Sequence, residues 1–99
     1  MDISKKTNDR NQLCLIFSEV GIFSEKEKEQ MLKFEETLKN KNLLFMKRIL
    51  NEEFQDGGLP YDIFENYLEN TIVVVYKEDN EKVINILKTQ FNETLPRNF

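Results

Sequence analysis

Thr71-Ile72-Val73-Val74-Val75-Tyr76 is β-branched over its first five positions and is bounded by Asn70 on one side and by Lys77-Glu78-Asp79-Asn80 on the other. β-Branched side chains between turn-forming residues read as a strand. Apolar residues at successive positions face both ways, as in a strand covered on both faces. A strand cannot satisfy its own backbone N–H and C=O groups, so any fold of this chain must give the segment a partner. Three partners are open: the segment Leu43–Leu50, the apolar run Leu13-Cys14-Leu15-Ile16-Phe17, or the same strand of a second copy, which makes a homodimer through Thr71–Tyr76.

Helical spacing dominates the remainder. From Asp9, the residues Leu13, Ile16, Phe17 and Val20 recur at i, i+3, i+4 and i+7, Asp9 with Gln12 has capping-box spacing, and Gly21 is placed as a left-handed terminator with Ile22 packing back on Phe17. A second helix opens at Ser24, which forms an S-x-x-E box with Glu27, and buries Met31, Phe34 and Leu38 with Leu32 beside them. Together these predict an N-terminal helical hairpin. The run Lys39-Asn40-Lys41-Asn42 weakens the pattern without a Gly or Pro to break it. Leu43–Leu50 fits a helix through Leu43, Met46, Leu50 and Phe54, and a buried strand as an alternative; helix is the preferred reading. Asp56-Gly57-Gly58 is a turn that leads to Pro60 at the start of a short helix with Ile63, Phe64, Tyr67 and Leu68 inward. After the strand, Asn80 caps a last helix lined by Val83, Ile84, Leu87 and Phe91, and Pro96 ends regular structure.

With 99 residues, the chain has material for one hydrophobic core. The expected class is α+β and mainly helical: the N-terminal helical hairpin followed by a C-terminal helix–strand–helix unit. Residues 1–8 read as a flexible arm, 9–95 as the single globular domain and 96–99 as a tail. Alanine is absent while Ile, Asn, Lys and Phe abound, which reflects an AT-rich genome such as that of a low-GC bacterium, its phages or its mobile elements, and carries no chemistry.

The absence of histidine removes the side chain most often used for proton transfer near neutral pH. Ser4, Ser18 and Ser24 have no imidazole to activate them. The one cysteine, Cys14, lies in the apolar run, where it reads as a small buried hydrophobe rather than a reactive thiol. It leaves no disulfide and no zinc spacing. Glu52, Glu53 and Asp56 crowd before Gly57, but neither glycine alignment places oxygen ligands as a calcium loop requires. No phosphate-loop glycine pattern occurs. The expectation is a protein without enzymatic activity, metal or cofactor. A net charge of −4 argues against nucleic acid, whose phosphates demand lysine and arginine. It also tells against the alternative of a winged-helix transcriptional regulator or accessory subunit, because its recognition helix would present Asp62, Glu65 and Glu69 to DNA. Neither a signal peptide nor a membrane-length apolar run is evident, so the expected location is the cytoplasm without membrane contact.

What these exclusions leave is a binding surface. Asp56, Tyr61, Asp62, Glu65 and Glu69 lie on the turn and helix after Gly57-Gly58, combining acids that steer a basic partner with an aromatic anchor. The expected function is that of a small acidic protein-binding module, an inhibitor of the immunity, antitoxin or phage anti-defence kind that masks a basic site on a partner protein.

Overall fold

The β-branched run obtains two neighbours rather than one. In the computed structural model, which describes residues 1–8, 10–49, 70–76, 80–97 and 99, the chain order is β1 (Asp2–Thr7), β2 (Leu13–Glu19), α1 (Glu25–Asn40), β3 (Phe45–Ile49), β4 (Asn70–Tyr76) and α2 (Asn80–Gln90). The strands form a single antiparallel sheet in the order β1-β2-β4-β3. Two of the three candidate partners of Thr71–Tyr76 are therefore both correct, with Leu15 opposite Val74 on one side and Lys47 opposite Val74 on the other. Both edges of β4 are occupied, which leaves the third candidate, pairing with the same strand of a second copy, no free strand edge to form on.

This architecture overturns the mainly helical expectation. The chain opens with a β-hairpin instead of a helical hairpin, and the segment read as a first helix is β2. The physical reason is burial: Leu13, Cys14, Leu15, Ile16 and Phe17 are all buried. A helix hides one stripe and would turn part of such a run toward water, whereas a covered strand hides every residue. Leu13, Leu15 and Phe17 join the main core, while Cys14 and Ile16 are buried on the opposite face with Thr71 and Val73. The side chain of Asn8 makes the turn: its Oδ1 accepts from the backbone N–H groups of Arg10 and Gln12 at 3.0 and 2.8 Å, and Asn11 takes a left-handed φ of 60°, which asparagine tolerates. Residues 1–8, expected as a loose arm, thus contribute β1. Leu43–Leu50, preferred as a helix, contains β3. The C-terminal strand–helix pair is β4 and α2; the Pro60–Glu69 segment that was to precede it lies outside the described residues.

α1 follows its sequence signals closely. Ser24 Oγ accepts from Glu27 N–H at 3.2 Å and Glu27 Oε1 accepts from Ser24 N–H at 2.9 Å, completing the capping box. Met31, Phe34 and Leu38 are buried. Its end is a Schellman motif: Asn42 is left-handed at φ 56°, Leu43 N–H donates to Leu38 C=O at 2.9 Å and Asn42 N–H to Lys39 C=O at 3.0 Å. Buried Leu38 and Leu43 share the same core cluster, which closes the motif and aims the chain into β3.

Both helices lie on one face of the sheet. Phe34 of α1 sits at the centre of an aromatic cluster, with ring centroids 6.2 Å from Phe17, 5.8 Å from Phe91 and 6.4 Å from Tyr76. Val83 and Leu87 of α2 complete this core. Burial, with the charge of Glu35 added, holds the Tyr76 phenol well above its ordinary value, so it stays neutral. Beyond α2, Leu95 and Phe99 pack against the core, and Lys5 Nζ donates to the Phe99 carbonyl at 2.9 Å. The segment read as a tail is thereby joined to β1.

Candidate functional site

Asp56, Tyr61, Asp62, Glu65 and Glu69, the residues expected to contact a partner, lie outside the described residues, as do Glu52 and Glu53. The described surface offers a different feature, a cleft running between α1 and β3. It arises from local sequence. Gly21, at φ 105°, turns the chain out of β2 in a backbone conformation that favours glycine. Phe23 then enters the core while Ile22, expected against Phe17, is left 80% exposed. On α1, Leu32 falls one position off the buried stripe and is 56% exposed.

The first recess of this cleft has a volume of about 360 Å³ and is walled by Ile22, Leu32 and Ile49 over a floor of Phe23, Met31 and Ile72. Lys28, Lys47 and Asn70 supply its polar rim. A second, more open recess continues along β3, lined by Leu43, Leu44 and Phe45 with Lys39, Asn42, Glu35 and Lys47. Between them stands an ion pair: Lys47 Nζ lies 2.7 Å from Glu35 Oε1, with the carboxylate side chain 14% and the ammonium side chain 34% exposed. This pair clasps α1 to the edge strand and divides the cleft.

The loop that carries Ile22 and Phe23 is anchored at both ends. The amino group of Met1 lies 3.0 Å from Glu19 Oε2 and 3.4 Å from Glu27 Oε2. Glu19, at the end of β2, and Glu27, inside the capping box of α1, therefore converge on one ammonium. The Glu19 carboxylate, with Glu27 adding to it, raises the amine above its ordinary value against the cost of desolvation. The backbone N–H of Ser24, helped by its hydroxyl and by the amine, holds Glu27 below the ordinary glutamate value. These contacts tie down the two ends of the loop that carries Ile22 at one side of the first recess.

Cys14 is buried, as its place in the apolar run suggested, and its Sγ donates to the Gln12 carbonyl at 3.8 Å. Among the described residues no three or more Cys, Asp or Glu side chains group as metal ligands do, and no helix is long and apolar enough to cross a membrane. The cleft residues Ile22, Lys28, Leu32 and Lys47 were not singled out from the sequence as a site. The signal for them was the remainder after core assignment: an apolar residue stranded after Gly21 and a leucine one step off the helix stripe. Compared with family models, curated proteins and solved structures, the chain matches none.

Proposed function

We propose that the protein is a non-catalytic protein-binding module, a small cytoplasmic inhibitor of the immunity, antitoxin or phage anti-defence kind. The observation that carries the binding reading is the cleft beside β3, where Ile22 and Leu32 expose large apolar side chains around a recess with a buried apolar floor. Clustered apolar exposure rimmed by polar groups is the ordinary physical mark of an interface. The inhibitor reading draws its support from small size and a net charge of −4, with the acids between Asp56 and Glu69 favouring a partner that carries a basic surface.

The test is a photo-crosslinking residue in place of Leu32, used in host cells to trap the partner, followed by reconstitution from purified components. Leu32→Glu, at an exposed helical position, should leave the fold intact and weaken the complex by at least about tenfold, and the partner's own activity should fall when the complex forms. A reconstituted complex indifferent to Leu32→Glu and Ile22→Ser would remove the cleft from the interface. Turnover of a substrate by the isolated chain would end the non-catalytic reading.

A further inference from the structure

Resting on the binding-module reading, we infer that the cleft receives an extended partner segment in which apolar side chains alternate with carboxylates. The shape argues for an extended occupant. The two recesses lie in line along β3, whose five residues Phe45–Ile49 span roughly 16 Å at strand rise, and this length suits a stretch of peptide better than a compact molecule. Apolar floors at both ends of that line, Met31 and Ile72 in one recess and Leu43 in the other, call for apolar side chains spaced along the segment.

The charge on the rim sets the second requirement. Lys28 and Lys47 are the ionisable side chains lining the first recess, and Lys39 lies in the second beside the clasp. These ammonium groups keep donors to spare. Lys28 is 3.6 Å from Glu25, with both side chains largely exposed, a pair that contributes little in water. Lys47 gives Glu35 a short contact, but an ammonium carries three N–H donors. The cleft is therefore locally cationic in a chain whose net charge is −4. A basic partner surface is drawn by the whole molecule, whereas the segment that seats in the cleft is selected for carboxylates next to its apolar residues.

Two labelled octapeptides separate these possibilities, one alternating Leu with Glu and a twin with Lys in place of each Glu. Titrated into the full chain and followed by fluorescence anisotropy and by backbone amide shifts, the Leu/Glu peptide should bind at least about tenfold more tightly than its twin, with the preference shrinking as salt rises. Its shifts should map to Leu32, Lys47 and Ile49. Lys28→Glu, at an exposed position of α1, should reduce or invert the preference while leaving the far-ultraviolet circular dichroism spectrum unchanged. Equal binding of both peptides, both abolished by Leu32→Glu, would overturn the carboxylate inference and leave the binding-module reading standing. Tighter binding of the Leu/Lys peptide, shifts confined to other surfaces, or no binding of either peptide would also overturn the inference.

Discussion

Phe34 is where a single truncation tests the packing most directly. Its ring meets Phe17 of β2, Tyr76 of β4 and Phe91 just beyond α2, each centroid within 6.4 Å, and its side chain is 2% exposed. Phe34→Ala removes that ring from the junction of α1, β2 and β4. Truncating a buried phenylalanine costs about 3–5 kcal/mol, transfer and cavity terms together. Each well-placed aromatic pair adds roughly 0.5–1.5 kcal/mol beyond area burial, so the upper part of that range is expected here. A domain of this size has a total stability of about 5–15 kcal/mol, so the loss takes a large share of it and the urea midpoint should fall steeply. At about 4–8 °C per kcal/mol for a domain of this length, the melting temperature should fall by some 15 °C or more. Leu32→Ala, two positions earlier on the same helix and 56% exposed, should cost only a few tenths to about 1 kcal/mol. Urea denaturation followed by circular dichroism compares the pair under one protocol. Equal losses for the two variants, or a Phe34→Ala cost below about 1.5 kcal/mol, would refute the placement of α1's buried stripe on the sheet.

Three further outcomes are expected. Val74→Asp should unfold the domain, because a buried unpaired carboxylate costs several kcal/mol, on the order of the whole stability; native-state hydrogen exchange should find the β4 amides among the slowest, and fast exchange there would place β4 outside the cooperative core. Asn42→Val should cost about 1–2 kcal/mol by urea midpoint, since a β-branched residue resists the left-handed φ of 56°, while Asn42→Gly should be near neutral; equal effects would exclude the Schellman role. Glu27, held low, adds stability that is present above its ordinary 4.5 and lost as pH falls through the folded value. The Met1 amine, held high, adds stability that is present below its ordinary 8.0 and lost as pH rises through the folded value. Urea midpoints of parent and Glu27→Gln should therefore converge at acid pH, where the parent's carboxylate is protonated, and the parent's decline above pH 8 should be shallower in the variant; a constant offset across pH would refute the linkage.

How much of this was legible depended on whether one face or two are covered. α1 has one buried face, so its stripe of Met31, Phe34 and Leu38 and its Ser24–Glu27 box could be read directly. β4 was recognisable from side-chain type. In β2 every residue from Leu13 to Phe17 is buried, and a run without polar interruption satisfies helical and strand periodicities equally. The Asn8-Asp9-Arg10-Asn11 stretch held the deciding signal, since asparagines at a tight turn explain it better than a helix cap does. β1 was hidden for the opposite reason. As an edge strand it buries only Ile3 among its six residues, so its sequence looks like a solvated arm. β3 followed from a terminator that was not a glycine, Asn42, whose left-handed turn ends α1 in time for a strand. The cleft depends on how α1 lies across β3, a tertiary relation that sequence spacing does not encode.

One cross-strand row tells against strand addition at either outer edge of the sheet. Lys5 pairs with Leu15, Leu15 with Val74 and Val74 with Lys47, so one row across the sheet has two apolar residues at its centre and a lysine on each outer strand. Both lysines stand on the helix-covered side, and both are met by a tertiary partner. Lys5 donates to the Phe99 carbonyl at 2.9 Å and lies 5.0 Å from the centre of its ring, while Lys47 meets Glu35 at 2.7 Å. A strand laid along either outer edge would have to accommodate a charge on the side where it seeks apolar contact, a known means of discouraging edge-to-edge association. The aggregation-prone composition of Thr71–Tyr76 is contained by the same arrangement, because β4 has β2 and β3 beside it. On the β3 side, however, the lysine does not seal the face. The Glu35 clasp holds α1 down at the middle of the strand and leaves apolar recesses on either side of it, so the contact that protects the edge also shapes the cleft.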